Sequence, residues 1–136
     1  MRILLLCDDY YHPGKTVIDG IEPLKEQGFH FDVIIDARDF SLEMLDRYPV
    51  VFLCKMDEGS QTDRSPWKTH EVQEAFVNYV QNGNALVVVH SGIVPAKEEV
   101  MLENLIGCRF LGHPNQCPVT VQPVKPHPVT DGVGIF

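Results

Sequence analysis

The sequence is poor in positive charge and in aromatic residues. Its 136 residues hold 11 Lys and Arg against 19 Asp and Glu, a formal net charge of -8, and only 9% are Phe, Trp or Tyr. Nucleic acids and anionic membrane surfaces are bound by clustered Lys and Arg. The composition therefore argues against both as partners and favours a small neutral ligand or a protein.

Long hydrophobic runs and export signals are also missing. The apolar run at residues 3–6 is far too short to cross a bilayer, and two carboxylates close it where a signal peptide would have small residues. The four cysteines show no CxxC spacing, which is typical of packing thiols in a reducing compartment. We therefore expect a cytoplasmic protein.

Four short apolar runs have the unbroken pattern of strands that are covered on both faces. They occupy residues 3–6, 33–35, 50–53 and 85–89, each bounded by polar or turn residues. A fifth run, residues 119–121, lies between two prolines, which restricts it to an edge or an irregular role.

Helical patterns separate these runs. The clearest helix begins at Ser65 as the cap and Pro66 at the first helical position, and it ends at residues 82–83. Its apolar face repeats at the helical spacing, with Val72, Ala75, Phe76, Tyr79 and Val80.

Three further helices are predicted with less regular patterns. Residues 16–27 should form a helix with a kink near residues 19–20 or a restart at Glu22, because Pro23 falls in its interior. A short helix over residues 42–47 has Ser41 as its cap, and another over residues 96–106 ends at Gly107.

Strands and helices that alternate in this way predict one α/β domain over residues 1–136, with a parallel sheet and right-handed crossovers. The sequence stops on Val133, Ile135 and Phe136, apolar residues with no following element to cover them. This ending predicts that a C-terminal part is missing, and the exposed patch would favour a homo-oligomer.

Histidines cluster where the chemistry of such a fold is expected. Ligands bind beyond the carboxyl ends of parallel strands, and His12, His90, His113 and His127 all follow strands or strand-like runs, as Asp8 does. Imidazole suits general acid–base catalysis and also ligates zinc. The spacing does not choose between these, so a zinc site formed by His12, His90 and His113 stays open.

The turn after the fourth strand is the most specific local feature. A buried strand that runs directly into His90, Ser91 and Gly92 has the form of a nucleophile elbow. The motif G-x-S-x-G is absent, since Val88 stands where its first glycine would be if His90 were central. Ser91 as a nucleophile would also need a nearby base and oxyanion donors.

Several landmarks recur in order along almost the whole chain, and together they resemble those of ThuA-like proteins in the class I glutamine amidotransferase-like superfamily. The landmarks are Tyr-His-Pro at residues 11–13, the helix end and strand over residues 82–91, and the segments at residues 105–110, 112–114 and 127–132.

This resemblance implies a three-layer, flavodoxin-like fold and a part in the catabolism of trehalose or a related disaccharide. Amidotransferases of this fold carry a cysteine at the elbow, where this chain has His90, so glutamine hydrolysis is not expected. The candidate catalytic residues are then His12, His90, Ser91 and His113, and the candidate residues for binding a sugar-like ligand are Asp8, Tyr11 and His127.

Two other functions are compatible with the same sequence. A non-catalytic binding or regulatory domain could keep the fold and lack the thiol. A nucleotide-binding module is disfavoured, because Asp8 and Asp9 after the first strand would repel phosphate.

Overall fold

Four parallel strands form the sheet at the centre of the computed structural model, which describes residues 1–96 and 100–136. The helices and strands run in the order β1 (Arg2–Cys7), α1 (Gly14–Lys25), β2 (His30–Ile34), β3 (Val50–Cys54), α2 (His70–Gln81), β4 (Ala85–Val88) and α3 (Met101–Ile106). Short 3-10 helices occupy Ala37–Asp39, Leu42–Arg47, His90–Ile93 and Pro128–Thr130. None of the helices in the described part is long and apolar enough to cross a membrane.

The strand order is β2-β1-β3-β4, with every neighbouring pair parallel. Leu5 on β1 pairs with Val33 on one side and with Phe52 on the other. This arrangement confirms the predicted α/β fold with a parallel sheet.

Helices cover the sheet on both faces, which gives three layers. Alternate side chains of β1 point in opposite directions, so Leu5 and Cys7 pack with Ile21 of α1, whereas Leu4 and Leu6 pack on the other face with α2 and α3. Buried side chains on the α2 side include Val51, Leu53, Phe76, Tyr79 and Leu102.

The outer strands are less buried than their apolar runs predict. β1 is buried from Ile3 to Cys7, as expected, but Val33 on β2 is 37% exposed and Val87 on β4 is 39% exposed. Both are edge strands, so the expectation that all four strands are buried on both faces was wrong for β2 and β4.

α2 has the predicted apolar face but begins later than predicted. Its cap is Thr69, whose side chain accepts a hydrogen bond from the Val72 N–H, and not Ser65. The reason lies in Asp57, whose carboxylate accepts the N–H groups of Trp67 and Lys68 at 2.9 and 2.8 Å. These bonds hold the preceding segment outside the helix.

The remaining helices differ from their predictions in smaller ways. α1 runs through residues 19–20 as one helix, with Pro23 inside it. Residues 42–47 form a 3-10 helix, and Ser41 makes no side-chain cap bond there. α3 ends at Gly107, as predicted, but it begins at Met101, so described residues 96 and 100 of the predicted helix are not helical. Residues 97–99 of that prediction lie outside the described residues.

The C-terminal segment, residues 108–136, has no buried residue. The strand predicted over residues 119–121 does not form, and the backbones of Val121 and Phe136 instead exchange two hydrogen bonds of 2.8 and 3.1 Å. Apolar side chains stand open to solvent here, among them Leu111 at 86% and Phe136 at 73% exposure.

Gly92 packs against the backbone of β3 and provides a stability test. A Cβ atom at this position would lie 2.3 Å from the Leu53 carbonyl oxygen, so the change Gly92→Ala should lower the free energy of unfolding by about 3 kcal/mol. The control is Gly20→Ala in α1, where a Cβ meets nothing within 4 Å and alanine should stabilise the helix by up to about 1 kcal/mol. Urea unfolding of both variants measures this, and equal stabilities would contradict the assigned packing.

Candidate active site

A fully buried carboxylate organises the end of β1. Asp9 is 0% exposed, and its Oδ1 accepts hydrogen bonds from the N–H groups of Tyr11 and His12 at 3.1 and 3.0 Å. Its Oδ2 accepts the N–H of Met56 from the segment after β3. Asp9 therefore stabilises the turn that follows β1 and links this turn to the segment after β3.

The same carboxylate fixes the His12 ring. Nδ1 of His12 lies 2.6 Å from Asp9 Oδ1, and the His12 side chain remains 32% exposed. Burial would raise the pKa of Asp9, but hydrogen bonds from Met56 and His12 outweigh it and hold that pKa below its usual value. An ionised Asp9 that accepts the Nδ1 proton leaves Nε2 of His12 as a proton acceptor.

His90 faces His12 from the end of β4. The two ring centroids are 4.7 Å apart and the rings are nearly perpendicular, at 88°. His90 has a φ of 50°, a backbone conformation that is uncommon outside glycine and that turns the chain sharply at the end of the strand. Asp8 has a φ of 75° at the corresponding place after β1.

Ser91 occupies a structural position in this turn. It is 3% exposed, and its hydroxyl donates a hydrogen bond of 2.9 Å to the Cys54 carbonyl oxygen at the end of β3. A hydroxyl that donates its proton to a carbonyl is not activated as a nucleophile.

Most of the predicted site residues line one cavity, which we call the histidine cavity. It has a volume of about 510 Å³ and is lined by Tyr11, His12, Met56, His90, Ser91, Ile93, Val94, Phe110 and His113. A hydrogen bond of 3.0 Å from the Phe110 N–H to the Ile93 carbonyl links the C-terminal part of the cavity lining to the turn after β4. The cavity thus brings together His12, His90, Ser91, His113 and Tyr11.

Two predicted residues lie elsewhere, so the expectation of one pocket containing them was wrong. The Asp8 carboxylate accepts the N–H of Gly14 at 2.8 Å and that of Gln61 at 3.2 Å. Asp8 does not line the histidine cavity. His127 lines a separate cavity formed by residues 123–128, 130 and 131. Its Nδ1 accepts the N–H of Val129, which fixes a local turn.

Three buried charges follow β3, and their roles were not predicted from the sequence. Lys55 is 1% exposed and donates to the carbonyl oxygens of Asp8 and Ile35, which joins the ends of three strands. Burial lowers the pKa of Lys55, whereas Asp8, Asp9 and Asp36 oppose that effect. The available signal was three charged residues within four positions directly after a buried strand.

In the described part of the chain, the possible metal-ligating side chains do not gather into a metal site. Among residues 1–96 and 100–136, no three His, Cys, Asp or Glu side chains are arranged to hold a metal ion, and His12 Nδ1 is already paired with Asp9. The zinc site at His12, His90 and His113 stays a prediction. It would have to form through Nε2 of His12 together with rearranged imidazoles of the other two.

Comparison with known proteins gives the family. The profile of the ThuA family, described as trehalose utilisation, matches residues 5–135. This chain belongs to the ThuA family. No curated protein matches it significantly.

A solved structure supports the same assignment at the level of the fold. A ThuA-like protein from Bacteroides uniformis ATCC 8492 is similar to the ThuA chain described here with a TM-score of 0.69 and 20% sequence identity. The similarity covers 100% of this chain and 57% of that protein. The chain therefore spans just over half the length of this structural relative.

The Asp9 network predicts a pH-dependent difference in stability. Because the folded-state pKa of Asp9 lies below the usual 3.8, its ionised form stabilises the fold above that pH, and this contribution is lost as pH falls through the lower folded value. Asp9→Asn should lower the free energy of unfolding at pH 7 by about 1–3 kcal/mol, since an amide N–H must then face a backbone or imidazole donor.

The gap between the wild type and Asp9→Asn should narrow below about pH 4. Chemical unfolding at pH 7, 5 and 3 measures it. The matched control is Asp32→Asn, which removes an exposed carboxylate paired with Arg2 and should change stability at pH 7 by less than about 1 kcal/mol. A gap that stays constant with pH would contradict the role given to Asp9.

Proposed function

We propose that this ThuA-family chain acts in the metabolism of trehalose or a related disaccharide, through acid–base catalysis at His12 and His90. The observation that supports it is the pairing of His12 with the buried Asp9 beside His90, in a cavity large enough for a sugar ring. The family assignment supports the class of substrate. The ligand is a neutral sugar in this proposal, in keeping with the net charge of -8.

His12 would act as the general base. Asp9 accepts its Nδ1 proton, so Nε2 can take a proton from a sugar hydroxyl or from a carbon beside a carbonyl group. His90 would supply or relay a proton on the other side of the reacting group. Ser91 and His113 would then position the ligand, because both line the cavity. The Ser91 hydroxyl also holds the turn that carries His90.

Glutamine hydrolysis is not part of this proposal. His90 occupies the elbow position where the amidotransferases resembling this chain have cysteine, and burial raises the pKa of Cys7 to about 11 and of Cys54 to about 12. Neither thiol would be a thiolate at neutral pH. Cys108 and Cys117 are exposed and lie in the C-terminal segment, outside the histidine cavity.

A second candidate is a ligand-binding or regulatory domain without catalysis. The bonded state of the Ser91 hydroxyl favours it, since the elbow then carries no activated nucleophile. This candidate predicts saccharide binding without turnover, which the assay below detects.

Histidine variants test the catalytic proposal. His12→Asn and His90→Asn should each lower the turnover of trehalose or a related disaccharide at least about 100-fold, the usual contribution of a general acid or base. Asparagine also tolerates the positive φ of His90, so the turn should survive. The control is His30→Asn at the start of β2, with unchanged turnover expected.

Turnover is followed by chromatography of the sugar products, and folding by circular dichroism. Folded His12 and His90 variants with wild-type turnover would overturn the catalytic proposal. Binding of a saccharide by the wild type with no product formed would favour the second candidate.

Cysteine variants test the exclusion of thiol chemistry. Replacing each cysteine with serine should leave any sugar-dependent turnover within about threefold of the wild type, since neither buried thiol is ionised at neutral pH. The wild type should release no ammonia from glutamine. Loss of turnover in one cysteine variant that remains folded, or measurable glutaminase activity, would contradict this expectation.

A further inference from the structure

Next to the histidine cavity lies a small cluster of aromatic rings and charge that the acid–base proposal does not use. We call it the aromatic rim, formed by Tyr10, Tyr11, Arg64 and Glu58. Tyr10 and Tyr11 are 50% and 61% exposed, with ring centroids 4.9 Å apart in an edge-to-face arrangement. Tyr11 also lines the histidine cavity, which connects the rim to the candidate site.

The guanidinium of Arg64 contacts both of these exposed tyrosines. Arg64 lies over the Tyr10 ring, with its guanidinium carbon 4.5 Å from the ring centroid, and 5.7 Å from the centroid of Tyr11. A guanidinium at this distance from an aromatic face is attracted by the ring's electron density. The two rings and the guanidinium therefore restrain one another.

A buried carboxylate anchors the guanidinium. Glu58 is 3% exposed, and its Oε1 accepts the Nε–H of Arg64 at 2.9 Å. Its Oε2 accepts the N–H of Tyr10 at 3.2 Å. One carboxylate thus fixes both the guanidinium and the backbone that carries the rings.

From this geometry we infer that Tyr11 is a stacking platform for a pyranose ring, and that Arg64 is a positioning residue that holds Tyr11 in place. The axial C–H groups of a pyranose form an apolar face, which packs well on a restrained aromatic ring. The inference rests on the proposed function, because it places one ring of the saccharide on the rim and the reacting group between His12 and His90.

Charge supports a neutral ligand on the rim. Arg64 pairs with Glu58 through Nε, so the charge of the guanidinium on the rim is balanced by a carboxylate. The expected ligands are neutral hexopyranosides, whereas phosphorylated sugars would need an unpaired cation. Pre-organisation of Tyr11 should appear in the affinity, since a platform that is already ordered loses less entropy on binding.

Saccharide binding by the wild-type chain, measured by isothermal titration calorimetry with trehalose, maltose and glucose 6-phosphate, tests the inference. Tyr11→Ala should weaken the binding of a neutral disaccharide about tenfold, and Arg64→Gln should weaken it about fivefold. Arg64→Lys should recover only part of the loss, because an ammonium keeps the charge without the planar stack.

A double-mutant cycle separates positioning from a general loss of structure. If Arg64 acts through Tyr11, the change Arg64→Gln should have no further effect on affinity once Tyr11 is alanine. The matched control is Arg38→Gln, another exposed arginine held by a carboxylate, Asp36, which should leave saccharide affinity unchanged.

The rim and the catalytic proposal fail in different ways. His12→Asn should lower turnover at least about 100-fold with little change in affinity, whereas the rim variants should change affinity more than the turnover rate at saturation. Three results would each overturn the inference about Tyr11 and Arg64. They are unchanged affinity in Tyr11→Ala, additive effects of the Tyr11 and Arg64 substitutions, and a wild type that binds no neutral saccharide. Loss of turnover alone would leave it standing.

Discussion

The geometry of the candidate site depends on the carboxylate of Asp9. A carboxylate removed from water is costly unless its oxygens are satisfied, and Asp9 meets this requirement with three backbone N–H groups and one imidazole. Because these donors come from both the β1 turn and the segment after β3, satisfying the charge also defines the position of the turn. His12 faces His90 as a consequence of that requirement.

The same principle extends along residues 55–58. Lys55 joins the carbonyl groups at the ends of β1 and β2, Asp57 holds the approach to α2, and Glu58 fixes the aromatic rim. Each charge is buried and each satisfies backbone groups or a partner from a different loop. The segments after β1, β2 and β3 are therefore joined at the carboxyl edge by ionic groups, whereas the interior of the sheet is held by apolar packing.

The sequence predicted the parallel α/β arrangement well, because unbroken apolar runs and helical spacing reflect burial directly. It also predicted that His12, His90 and His113 would come together, since the carboxyl ends of parallel strands share one edge. It could not predict the start of α2, which a distant carboxylate decides, or the exposure of β2 and β4, which depends on strand order. Asp8 and Asp9 are adjacent and chemically alike, and only the turn geometry shows which of them supports the histidine.

The three histidines that line the histidine cavity differ in how firmly they are held. His12 is fixed by a buried carboxylate, and His90 follows a turn in which Gly92 packs against the backbone of β3. His113 instead contacts its own neighbour's carbonyl at Pro114 and lies in a segment with no buried residue. Proton transfer by His12 and His90 would benefit from their fixed positions, because it requires a fixed distance. The proposed acid–base pair therefore lies on the side of the cavity that buried residues hold in place.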